Sequence, residues 1–205
     1  EGGFPTYLSP EDATRKIGSS GKAHCQVEIQ LVDENGNQVR QGEVGEIICR
    51  GEHQMLFYWD MPEETENTIK DGWLYTGDLG RFDKEGYLYV VGRKKEMIIS
   101  GGQNIYPAEI ERVLHKHPDI SEAAVVGVPD KEWGESVLAV VVPKEGASMT
   151  EEDVINFVKQ NLASYNKPRY VRFTDALPRT AATGKLQKVQ LRKTYMDQLN
   201  LVETT

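Results

Sequence analysis

YTGDLGRFDKEGYLYVVGRKKEMIISGGQNIYPAEIE, residues 75–111, changes rhythm halfway, and that change decides the fold. Up to Gly92 the run reads as β structure. Asp83-Lys84-Glu85-Gly86 is a turn, and Tyr87–Val91 alternates as a strand does. Beyond Gly92 the apolar spacing becomes helical. Pro107 opens a helix that carries Ile110, Val113 and Leu114 on one face. A basic run, Arg93-Lys94-Lys95, separates the halves and marks the expected boundary, giving a β-rich region over 1–93 and an α+β unit over 94–205.

Both halves extend outward consistently. Upstream, Val27–Val32 alternates as a half-buried strand, followed by a hairpin turn at Asp33-Glu34-Asn35-Gly36, where Asn-Gly tolerates positive φ. Glu46–Cys49 is a second strand. Pro62–Ile69 is a short helix, with Pro early and acids in its first turn. Downstream, Met97–Ile99 is a short strand. Ala123–Val128 and Val137–Val142 are continuous apolar runs, the pattern of strands covered on both faces. Thr150-Glu151-Glu152-Asp153 starts a helix with a Thr cap and an acid three residues on, and Val154, Ile155, Phe157, Val158 and Leu162 give it an apolar stripe. Val171 and Phe173 suggest a last strand, and Leu186–Leu199 a last helix. The fold class read from the sequence is α+β.

Composition narrows function. The 205 residues are 39% hydrophobic and 27% charged, with net charge -8. An acidic surplus argues against a nucleic-acid binder, whose affinity comes from neutralising phosphates. No run approaches the length of a membrane span, and Glu1-Gly2-Gly3-Phe4-Pro5 has no signal-peptide character, so the expected compartment is the cytoplasm. The absence of a first Met suits a piece of a longer chain. Cys25 and Cys49 sit in strand-like apolar runs and are expected to be buried thiols. His24, His53, His115 and His117 are scattered, with the last two on different faces of any helix, so no metal site is expected from them. Trp59, Trp73 and Trp133 read as core or interface residues.

Four local patterns carry chemistry. Thr76-Gly77-Asp78 puts a carboxylate beside a tight glycine turn, where it either accepts a ribose diol or bonds its own backbone. Arg93 either forks onto ribose or phosphate oxygens or is a solvated charge, and Lys95 is either a hinge or a surface residue. Ser100-Gly101-Gly102 is a glycine turn leading toward the helix at Pro107. It allows close backbone approach to a ligand, and a helix N-terminus attracts anions. Gly184-Lys185 places a lysine on a glycine-bearing loop, either as a mobile charge for phosphoryl chemistry or as an exposed residue opening the last helix.

Taken in order, GEVGEIICRG (42–51), DGWLYTGDLG (71–80), GRKKEMIISGGQNIYPAEIE (92–111), AAVVGVPDKEWGE (123–135) and LPRTAATGKLQK (177–188) resemble the C-terminal part of the adenylate-forming superfamily, which includes acyl-CoA synthetases, peptide-synthetase adenylation domains and luciferases. The resemblance implies a distorted, barrel-like β-rich subdomain followed by a mobile C-terminal α+β domain. It also implies two reactions. A carboxylate and ATP, with Mg2+, give an acyl-adenylate, and a thiol, usually coenzyme A, then displaces AMP. By the same resemblance Tyr75, Asp78 and Arg93 serve the nucleotide, and Lys95 is the hinge. Lys185 is the adenylation lysine, Gly101 and Gly102 line the path of the thiol, and Glu1 is a metal ligand. Two departures are visible: Phe57 stands where the family often has Gly, and the loop from Pro178 to Lys185 is one residue longer than usual. Closest in character are fatty-acid-type CoA ligases, and the Gln103-Asn104-Ile105-Tyr106-Pro107 form also suits aryl-acid ligases. The alternatives are an adenylation domain that loads a carrier-protein thiol and a non-catalytic binding module of the same fold. The family's phosphate loop and acyl pocket are absent, so these residues alone are expected to be inactive and to depend on an N-terminal domain of the same chain.

Overall fold

The computed structural model describes residues 5–52 and 54–199. The chain divides between Lys95 and Glu96 into two compact units.

The first unit is almost all antiparallel β. A small pair, β1 (Thr6–Tyr7) and β2 (Lys22–Ala23), precedes β3 (Val27–Val32) and β4 (Gly45–Gly51). Then come the helix α1 (Pro62–Thr68), β5 (Ile69–Lys70), β6 (Trp73–Phe82) and β7 (Leu88–Arg93). The main sheet runs β3-β4-β6, with β5 and β7 paired to different stretches of β6. The expected Asn-Gly turn forms. Asp33 Oδ1 accepts the N–H groups of Asn35 and Asn37, and the chain returns through a bridge at Gln38 before looping to β4. Two apolar clusters underlie the sheet, Val27/Cys49/Leu74 and Leu31/Ile47/Leu88. Cys49 is buried, and burial pushes its thiol pKa up. Cys25, expected to be buried, is exposed, because it lies in the turn between β2 and β3 rather than in a strand. Trp59 is exposed too, and it contributes nothing to this unit's core.

A 3-10 turn at Lys94–Glu96 leads to the second unit. Its elements are β8 (Ile98–Ser100), β9 (Gln103–Ile105), α2 (Pro107–Leu114), β10 (Ile120–Asp130), β11 (Gly134–Pro143), α3 (Glu151–Asn161), β12 (Tyr170–Phe173) and α4 (Lys188–Leu199). The sheet order is β10-β11-β8-β9, and β12 joins β11 in parallel. Successive strand residues face opposite layers. Val125, Val137, Ala139 and Val141 pack with α2 and α3, while Ala124, Val126, Leu138 and Val140 pack with Leu191 and Tyr195 of α4. Both faces are covered, which is why β10 and β11 read as unbroken apolar runs. Each buried Val or Leu among them contributes about 1.5–3 kcal/mol of burial against the entropy of ordering the chain. The cap of α3 is complete: Thr150 Oγ1 accepts the Asp153 N–H, and Asp153 in turn accepts the Thr150 N–H at 2.8 Å. No helix among the described residues is long and apolar enough to cross a membrane.

Candidate functional site

In the first unit the site is built on a break in strand pairing. Tyr75 opposes Ile48 and Leu79 opposes Glu46, so Ile47 alone faces Thr76, Gly77 and Asp78. The sequence suggested a tight turn here, but the structure has a bulge inside one long strand. The Thr76 hydroxyl fixes it, donating to the Ile47 carbonyl at 2.8 Å and accepting the Asp78 N–H at 3.1 Å. Gly77 has φ 71°, a conformation that costs any other residue. Bulges of this kind re-aim the side chains that follow them, and here the residue concerned is Asp78.

Asp78 lies directly across from Arg93 on β7, with Arg93 Nε 2.9 Å from Asp78 Oδ1. Both side chains reach solvent, so the pair adds little to stability and keeps its hydrogen-bonding capacity for a ligand. Beside it lies an open depression of about 530 Å3, lined by Glu46, Tyr75, Gly77, Arg93, Lys94 and Lys95 among others. Lys94 is held there by the buried Glu46 at 2.7 Å. Lys95 makes no ion pair with a described residue. The arrangement offers an acceptor for hydroxyls beside fixed and free cations, which suits a ribose and a phosphate. Glu1, the metal ligand suggested by resemblance, lies outside the described residues. Among those described, no group of three or more metal-binding side chains occurs.

In the second unit Gly101 and Gly102, at φ 55° and 77°, form the two-residue turn between β8 and β9, where Ser100 pairs with Gln103. The sequence placed this turn at the entrance of a helix. β9 intervenes, and α2 starts only at Pro107, so these glycines do not form a helix N-terminus. The Gly101 N–H donates to the Trp133 carbonyl at 2.9 Å, and the indole lies against the Gly101 Cα. Gly102 faces open space. Asp130 holds the Trp133 turn in place. It accepts the N–H groups of Glu132 and Trp133 and the Ser136 hydroxyl, and it pairs with Arg169 at 2.9 Å. Burial opposes its charge, but these bonds prevail and lower its pKa.

Lys185 is exposed on the loop before α4. That loop is tied rather than slack. Thr180 donates its N–H to the Lys185 carbonyl at 2.9 Å, and its hydroxyl accepts the Lys185 N–H at 3.1 Å. Arg179 bonds the Gly184 carbonyl at 3.0 Å and Glu122 at 2.5 Å. The segment from Arg179 to Lys185 is thus a closed turn. The Lys185 ammonium has no ion pair with a described residue. Its backbone is tied, and its charge is not neutralised by any described residue.

Sequence reasoning overlooked Lys188. The final helix begins there, not at Leu186, because Leu186 is bridged to Arg179. Lys188 lies 2.7 Å from Glu96 and 2.8 Å from Glu111. Burial opposes its charge, yet the two carboxylates outweigh it and raise its pKa. A signal existed: Lys188 stands three and seven residues before Leu191 and Tyr195, on the buried face of α4.

These elements agree with two family models. The AMP-binding enzyme C-terminal domain matches residues 109–185, and the AMP-binding enzyme model matches residues 1–59. The chain belongs to the AMP-binding, adenylate-forming enzymes and corresponds to a part of them. Among curated relatives, indoleacetate–CoA ligase of Aromatoleum aromaticum is 49% identical over 94% of this chain and 38% of its own length. A long-chain-fatty-acid–CoA ligase of Mycobacterium tuberculosis is 42% identical over 94% and 38%. Among solved structures, o-succinylbenzoate CoA synthetase of Bacillus subtilis, in complex with its acyl-adenylate intermediate, superposes with TM-score 0.85 at 40% identity, covering 92% of this chain and 38% of that one. The chain therefore spans well under half the length of the relatives it matches.

Proposed function

We propose that this chain is the C-terminal part of an ATP-dependent acid–thiol ligase that makes an acyl-adenylate and then a thioester with coenzyme A. One observation carries the reading: Lys185 presents from a tied loop an ammonium that no described residue neutralises, within a segment matching the AMP-binding C-terminal domain. A carboxylate attacking the α-phosphate of ATP builds negative charge as pyrophosphate leaves. A fixed cation that no described residue pairs with lowers that barrier without first having to break an ion pair among them. Asp78 would accept the ribose hydroxyls, with Arg93 aligning it and Tyr75 flanking the same depression. The glycine turn at Gly101-Gly102, open on the Gly102 side, would border the path of the thiol in the second step.

Two chemistries at one nucleotide require an exchange of groups. Lys95 is the proposed hinge, a proposal supported by the division of the chain immediately after it. The acid is proposed to be a fatty or aryl carboxylic acid, as the names of the curated relatives suggest. The Mg2+ that accompanies ATP would supply charge neutralisation at the phosphates. Its protein ligand, by the family resemblance, would be Glu1, which lies outside the described residues. The proposed compartment is the cytoplasm.

The test is nucleotide affinity. In the full-length parent, Asp78→Asn should weaken ATP or AMP binding about tenfold or more, the value of one charge-assisted hydrogen bond. Unchanged nucleotide affinity would remove Asp78 from the site. The 205-residue chain alone should show no carboxylate-dependent ATP–pyrophosphate exchange, and measurable exchange would contradict its assignment as an incomplete enzyme.

A further inference from the structure

Lys188 ties three places together. Its ammonium reaches Glu96, the residue directly after Lys95, and Glu111 on α2, and its side chain is only 17% exposed. Glu111 is itself fixed, since its Oε1 accepts the Val125 N–H of β10 at 2.8 Å. Lys188 also begins α4 at the base of the loop that carries Lys185. The other end of that loop is held by Arg179 and Thr180 and by the Gln187 N–H, which donates to the Pro178 carbonyl at 2.9 Å. The Lys185 ammonium makes no ion pair with a described residue, and its backbone is what the loop's hydrogen bonds hold in place.

We infer that Lys188 is a positioning residue for Lys185, clamping the base of its loop to the turn that follows Lys95. The inference rests on the reading of Lys185 as the adenylation lysine. A solvated ion pair imposes little geometry, but a shielded cation shared by two carboxylates accepts few arrangements. The clamp makes the loop move as one piece with the turn at Glu96. A shift of about 1 Å at a reacting charge is enough to cost about a hundredfold in rate.

The test compares half-reactions in the full-length parent, using Lys188→Met, Lys188→Arg and Glu96→Gln, with Lys185→Ala as control. Lys188→Met should slow acyl-adenylate formation, read as pyrophosphate exchange, about tenfold or more. Thioester formation from supplied acyl-adenylate and coenzyme A should change less than about twofold, because it does not use Lys185. Lys188→Arg should restore most of the loss, and Glu96→Gln should fall between. A folded Lys188→Met enzyme that loses both half-reactions equally, or neither, would overturn the inference. If Lys188→Met does not fold, Glu96→Gln carries the same comparison. Amide exchange on the 205-residue chain decides the clamp separately. Protection at Gly184 and Lys185 should fall about tenfold in Lys188→Met while Val140 keeps its protection. Unchanged protection at both loop amides would refute the clamp. A Lys185→Ala enzyme that still forms adenylate would instead refute the functional reading, with the exchange result unaffected.

Discussion

Gly101 and Gly102 are adjacent and both left-handed, yet the structure assigns them different costs of substitution. At Gly102 an added Cβ meets nothing within 4 Å, so Gly102→Ala bears only the cost of a left-handed backbone, about 1–2 kcal/mol. At Gly101 the same methyl would stand 2.5 Å from the Trp133 ring, in addition to the backbone cost. Trp133 is 47% exposed, so the ring can swing out instead of unfolding the unit, forfeiting its packing over the turn. That loss is about 1 kcal/mol, because only the edge of the indole around Cε3 and Cζ3 lies over the turn. Gly101→Ala should therefore destabilise by about 2–3 kcal/mol, roughly fivefold more in the unfolding constant than Gly102→Ala. Urea unfolding of the 205-residue chain, followed by circular dichroism, gives both values. Tryptophan emission of the folded proteins should shift to longer wavelength for Gly101→Ala alone. Equal destabilisation with unchanged emission in both variants would show that the indole is not seated on Gly101, and the described hairpin would be wrong.

Other expectations follow from particular contacts. Asp12 has its pKa lowered to about 2, first by the Tyr87 hydroxyl at 2.6 Å and then by Arg15 and Ser9. Its contribution to stability is complete above the unfolded value near 3.9 and is lost as pH falls through about 2. Tyr87→Phe should move the Asp12 titration, read by NMR, back toward 3.8, and an unmoved midpoint would contradict this assignment. Leu138, fully buried between the sheet and α4, should cost about 2–5 kcal/mol as Leu138→Ala in thermal or urea unfolding. Thr150→Ala removes the α3 cap and should cost about 1 kcal/mol, seen as a lowered urea midpoint without a change in slope.

The parts of the fold legible in the sequence are those where local and tertiary preferences agree. Val27–Val32 alternates because one face of β3 is covered more than the other, and β10 and β11 are apolar throughout because helices cover both of their faces. The Thr150 cap and the Asn35-Gly36 turn need no distant partner. The illegible parts depend on partners far along the chain. β6 was hidden because Gly77 and Asp78 look like a turn, and only Ile47 across the sheet makes them a bulge. β9 is three residues long and mostly polar, so it exists through its pairing with β8. Cys25 reads as a strand residue in the sequence because its apolar neighbours belong to β3, which begins only after it. The site behaves in the same way. Asp78 and Arg93 can be named from the sequence, but their direct opposition is set by sheet register. Lys188 reads as one surface lysine among several until Glu96 and Glu111 are seen around it.

A rapid-quench comparison of wild type and Lys185→Ala in the complete enzyme reaches the core of the account. With ATP and the carboxylic acid, the variant should form acyl-adenylate about a hundredfold to a thousandfold more slowly, the usual loss when one charge-stabilising group is removed. Given preformed acyl-adenylate and coenzyme A, it should release thioester at nearly the wild-type rate. Undiminished adenylate formation, or an equal loss in both steps, would contradict the role assigned to that ammonium.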